Sequence, residues 1–147
     1  MSVDSPPVQS RGWARGWARG WGRSAGAVLA GLVATVALSI GTDMALMAAG
    51  IFPDFAAPQS FTTPMLIAAT LYRTAYGVIG SMIAAQLAPR RPMLHAMVLG
   101  ALGFAASVTG AVTMWNFGPN WYPLALVALA LPGAWIGGLI QGQRSSR

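Results

Sequence analysis

The chain has no cysteine, no lysine and no glutamate, and a single histidine, His95. Each absence closes a class of chemistry. Without cysteine there is no disulfide, no thiol nucleophile, no iron–sulfur cluster and no Cys-based zinc site. One histidine and the three carboxylates Asp4, Asp43 and Asp54 are too few for a conventional metal site within one chain. The sequence has no phosphate-cradling glycine loop, no catalytic triad and no metal-ligand spacing, and the serines and threonines of its apolar stretches lack a partner base. An enzyme carried by one chain is therefore the least favoured class, and neither metal nor cofactor is expected.

What is present is apolar. Of 147 residues 55% are hydrophobic and only 8% are charged, against roughly 25% charged in soluble domains. Four stretches reach the about 20 apolar residues that a membrane-crossing helix needs. They run from about Ser24 to Ile51, Thr63 to Ala88, Met93 to Trp115 and Trp121 to Gln141. Breakers separate them: Pro53 and Pro58, Pro89 and Pro92, Gly118 and Pro119. The expected fold is all-α, an integral membrane bundle of four transmembrane helices in two antiparallel hairpins. It divides into an Arg/Trp/Gly-rich cytoplasmic tail (1–23), the transmembrane domain (24–142) and a short tail (143–147). The first apolar run is too long for a signal-peptide core of about 7 to 15 residues and lacks a clean cleavage site, so it is read as an uncleaved span.

All nine basic residues are arginines, and eight of them set the orientation. Arg11, Arg15, Arg19 and Arg23 precede the first span, Arg90 and Arg91 join the second to the third, and Arg144 and Arg147 follow the fourth. The other two loops carry none. The positive-inside rule places both termini in the cytoplasm, and this pattern of a bacterial inner-membrane protein points to membrane lipids, not nucleic acid, as the partner of the charge. Trp121 and Tyr122 at the outer edge, and Trp13, Trp17 and Trp21 before the inner edge, suit the membrane interface, as do Arg90 and Arg91.

The repeat RGWARGWARGWGR would drift its tryptophans by about 40° per repeat on a helix. That suits a helix lying on lipid, but its glycines each cost about 1 kcal/mol in a helix interior. The segment is expected to be disordered in water and to order on lipid, as an anchor, a partner-binding arm or a plain topology-setting tail.

Two charges fall inside the apolar runs. Asp43 precedes Phe52 by about 14 Å and Arg73 follows Thr63 by about 15 Å at 1.5 Å per residue, so across a hairpin they reach the same depth, near the middle of a core about 30 Å thick. Unpaired charge there costs roughly 2.5 to 3.5 kcal/mol. Pairing answers that cost, and a guanidinium suits a buried carboxylate. On a helical wheel Arg73 shares its face with Leu66, Ala69, Thr70, Tyr76, Gly77 and Gly80, whereas Ile67, Leu71, Ala75, Val78 and Met82 lie opposite and are expected to meet lipid. Thr42, Thr70, Tyr72 and Tyr76 are the candidates to complete the hydrogen bonding. The pair can serve as a lock between two helices, as part of a polar transport cavity with Asp43 as the responsive carboxylate, or as a contact between subunits.

Further features are weaker. Pro132 interrupts the fourth span and is expected to shape it. Gly133 with Gly137 and Gly138 with Gly142 have GxxxG spacing, which suits close helix contact within the chain or between copies. His95 sits beside Arg90 and Arg91 as an interfacial polar residue.

The runs GTDMALMAAGIFP, YRTAYGVIGSMIAAQLAPRRPMLHAMVLG and GPNWYPLALVALALPGAWIGG resemble those of small four-helix bacterial membrane proteins with no activity attached. The resemblance spans about residues 25 to 140 and implies a membrane bundle only. Small multidrug-resistance transporters share the four short helices but carry a glutamate in the first, where this chain has Asp43. The expected role is an accessory or scaffold subunit without catalysis of its own, associated with another membrane protein or with copies of itself. The alternative is an oligomeric small-solute or proton-coupled transporter or channel using Asp43 and Arg73.

Overall fold

A helix satisfies nearly all of its backbone N–H and C=O groups within one segment, which is why long apolar runs separated by proline and glycine fold as helices. A computed structural model of the chain describes residues 11–54, 56–57, 60–116 and 118–145, with side chains from residue 22 to residue 144 of that set. It contains α1 (Arg11–Ala48), α2 (Thr63–Leu87), α3 (Pro92–Thr113) and α4 (Trp121–Ser145), and no strand among the described residues. All four helices are long and apolar enough to cross a membrane, the qualifying part of α1 being Gly22–Ala48.

The ends follow local chemistry. Gly50 adopts φ +71° and donates to the Met47 carbonyl, while Ile51 N–H reaches the Leu46 carbonyl at 2.9 Å. This is the Schellman pattern that glycine permits, and it stops α1 at Ala48, three residues before the expected Ile51. Pro64 and Pro92 lie in the first turns of α2 and α3, where a missing N–H costs nothing. Ala88 is extended ahead of Pro89, which ends α2. Pro132 lies inside α4 without ending it.

Through the amino-terminal repeat, Arg11–Gly22 is helical and continuous with the rest of α1. Extending a helix that already exists avoids the nucleation cost, so four poor helix formers are tolerated. The side chains of Trp13, Trp17 and Trp21 lie outside the described residues.

α2 is the hub, packed against the other three helices; α1 leans on α2, touches α3 briefly and does not reach α4. Small residues make the crossings possible. A Cβ on Gly80 would meet the Gly31 carbonyl at 2.7 Å, and one on Gly31 would meet Leu99 Cδ2 at 2.9 Å. A Cβ on Gly137 would meet the Val78 carbonyl at 2.6 Å, and Gly138 faces Met93 and Ala96. The Gly133/Gly137 spacing is thus used within the chain, against α2, whereas Gly142 has open space around it. Along α1 and α2, Gly31 meets Gly80, Thr35 meets Tyr76 and Asp43 meets Arg73, so residue numbers fall on one helix as they rise on the other.

Ile67, Leu71 and Ala75 are exposed as the wheel implies, but Val78 and Met82 are half-buried beside Gly137. A helix with three neighbours keeps only a narrow outward arc, and the wheel had allowed for one packing face.

Candidate functional site: an enclosed charge pair beside a polar cavity

Asp43 and Arg73 meet in one chain. Arg73 donates through Nη2 to Asp43 Oδ2 at 2.5 Å, and the Tyr72 hydroxyl donates to Asp43 Oδ1. Both carboxylate oxygens are therefore engaged. The two partners are unequally enclosed: the Asp43 side chain is 5% exposed and that of Arg73 34%. It is the one ion pair among the described residues.

The site lies nearer one end of the bundle than the counting from Phe52 implies. Because α1 stops at Ala48, Asp43 is only about 7.5 Å from its end at 1.5 Å per residue. Arg73 starts deeper on α2, but side chains on a helix lean toward its N-terminus, which carries the long guanidinium back toward Asp43. The reach of arginine, not equal depth of the two Cα atoms, closes the pair.

Of the expected polar supports, Tyr72 joins Asp43 directly. Tyr76 and Thr42 bond each other at 2.9 Å, hydroxyl to hydroxyl, on the same α1–α2 seam. The Tyr72 and Tyr76 rings stand 5.7 Å apart. Thr70 does not take part; its hydroxyl donates to the Leu66 carbonyl at 2.8 Å within its own helix. A helical threonine can always satisfy itself this way, and that choice is invisible on a wheel.

Tyr122, expected at the lipid interface, lies near the pair. It is half-buried and within electrostatic reach of both Arg73 and Asp43, while its neighbour Trp121, set edge-on to it at 6.2 Å, is exposed. Arg90 and Arg91 are exposed at the turn between α2 and α3. His95 is buried, and its Nδ1 lies 3.1 Å from the Arg91 carbonyl. Arg91 has φ 52°, a left-handed turn that brings its carbonyl within reach of His95 one helical turn on.

Beside the pair lies a cavity of about 210 Å³ to which all four helices contribute. Its polar wall consists of Thr35, Ser39, Arg73, Thr74, Ser81 and Ser107, and the rest is leucine, glycine and one alanine. Arg73 lines it and Asp43 does not. Two enclosed polar atoms have no partner among the described residues, Arg73 Nε and Thr74 Oγ1. Thr35, Thr70, Thr109 and Thr113 each give their hydroxyl to the carbonyl four residues earlier; Thr74 does not. Sequence reasoning missed Thr35, Ser39, Thr74, Ser81 and Ser107. Their one signal was polarity inside apolar runs, and the angular placement of four helices was needed to bring them together.

No protein-family model, curated protein or solved structure matches this chain.

Proposed function

We propose that this is a multi-pass protein of the bacterial cytoplasmic membrane, kin to small four-helix bacterial membrane proteins. Its four helices cross as two antiparallel hairpins with both termini on the cytoplasmic side. It works as a small accessory or scaffold subunit without catalysis of its own. The observation that carries this reading is how the interior charges are spent: Asp43 and Arg73 neutralise each other across the α1–α2 seam, leaving the outward faces apolar. Leu71 is 67% exposed, Val112 70% and Val33 64%, and apolar surface of this extent belongs against lipid or a partner. α1 is the least covered, with 11% of its most apolar window buried against 28% for α2. It offers the largest uncommitted face for another membrane protein or a second copy.

Purification in mild detergent tests the role. An unrelated protein recovered in fixed stoichiometry supports the accessory reading; a chain recovered with no other protein that carries pH-dependent flux in liposomes counts against it.

A second reading has its own support, the polar cavity beside Arg73. A small-solute or proton-coupled transporter would place its solute there, and pH-dependent flux in liposomes, abolished by Asp43→Asn, would identify it.

A further inference from the structure

We propose that the cavity among the four helices is a binding site for a small uncharged solute that offers a hydrogen-bond acceptor, such as an amide or ketone carbonyl, to Arg73 and to the hydroxyls around it. The proposal rests on the second reading above, that this space is used and is not a packing gap.

Size comes first. Pockets for drug-sized ligands span roughly 300 to 1,000 Å³, whereas this one measures about 210 Å³. It admits a solute of a few heavy atoms and no cofactor. Polarity comes next. A cavity left by imperfect packing in a membrane bundle is lined by aliphatic side chains; this one has five hydroxyl-bearing residues and a guanidinium. Thr74 keeps its hydroxyl off the carbonyl of its own helix and without a partner, whereas Thr70 on the same helix and Thr109 and Thr113 on α3 bond backward. A single χ1 rotation between staggered wells turns that hydroxyl, and an acceptor in the cavity supplies what the helix does not.

Charge decides the class. Arg73 lines the cavity and is one-third exposed, while Asp43, which cancels its charge, is 5% exposed and does not line it. The site offers donors but carries no net charge. An anion would add an uncompensated charge in a low-dielectric interior, and a cation would face a guanidinium; both are costly there. A neutral acceptor meets neither cost. On the side toward Arg90 and Arg91, Gly31 packs closely against Gly80, Ala84 and Leu99.

Because the chain has no cysteine, a single introduced thiol reports on the cavity. Full-length Ser107→Cys in liposomes is treated with uncharged hydroxyethyl methanethiosulfonate, with acetamide, acetate or methylammonium as probes, and modification is followed by mass. Ser39→Cys on the opposite wall serves if Ser107→Cys does not fold. The expected result is that acetamide slows modification by roughly tenfold at about ten times its Kd. Acetate and methylammonium leave the rate unchanged, Thr74→Val weakens the protection, and outward-facing Val112→Cys is indifferent to acetamide. The proposal is overturned if neither cavity thiol reacts, if acetamide gives no protection or protects Val112→Cys equally, or if acetate protects better. Loop position Ser60→Cys, labelled in the same samples, reports membrane insertion separately, so failure of the site is not confused with failure of the membrane assignment.

Discussion

Removing Arg73 should destabilise the bundle more than removing Asp43, although both changes delete the same contact. The asymmetry comes from enclosure. Arg73→Gln leaves a carboxylate 5% exposed with the Tyr72 hydroxyl as its remaining donor, and breaking a buried pair from one side costs about 3–5 kcal/mol. Asp43→Asn keeps an acceptor for Tyr72 and strands a guanidinium that is one-third exposed, so a cost nearer 1–3 kcal/mol is expected. The double substitution removes both charges. It should be less destabilising than the two singles summed by about 2 kcal/mol, within the range seen for directly contacting residues. Reversible unfolding in mixed detergent micelles with increasing dodecyl sulfate, followed by circular dichroism, measures all four proteins. Equal penalties for the singles would refute the enclosure argument, and additivity within about 0.5 kcal/mol would refute the coupling itself.

Other expectations follow from individual contacts. Tyr72→Phe leaves one carboxylate oxygen of Asp43 without its donor and should cost about 1–3 kcal/mol, whereas Tyr76→Phe breaks only a part-buried hydroxyl pair with Thr42 and should cost about 0.5–1 kcal/mol in the same assay. Gly80→Ala forces a methyl against the Gly31 carbonyl and should lose about 1–3 kcal/mol; Gly41→Ala, with open space around it, should gain up to about 1 kcal/mol from helix propensity. For topology, Ser60→Cys should be labelled by a membrane-impermeant maleimide in intact cells and Gln143→Cys only after permeabilisation; the reverse pattern would contradict the assigned orientation.

The number of helices and most of their ends were legible because proline and glycine punctuate the chain at each turn. Asp43 and Arg73 were legible as partners because they are the two opposite charges inside the apolar runs of one hairpin; the count from Phe52 set Asp43 too far from its helix end by including residues that the Gly50 turn removes, and the reach of arginine spans the difference. Thr70 was counted as a support of the pair because a wheel gives the angle of a side chain on its own helix but not the acceptor its hydroxyl takes, here the Leu66 carbonyl. A wheel is equally silent on the neighbours around a side chain. The cavity was illegible for the same reason, since Ser39, Thr74 and Ser107 share no periodicity along the chain. Val78 and Met82 show the converse: bulky residues read as facing lipid are held against Gly137 because glycine on α4 leaves room for them.

The contact between Arg73 and Asp43 joins α1 to α2 and stands beside the cavity, so its presence in a bilayer is decisive. Solid-state NMR of the full chain in lipid, labelled with ¹³C at aspartate carboxyls and ¹⁵N at arginine guanidiniums, measures it directly. Dipolar transfer between Asp43 Cγ and a guanidinium nitrogen, lost in Arg73→Gln, is the predicted result. A lipid-embedded chain in which Asp43 shows no such transfer would contradict it.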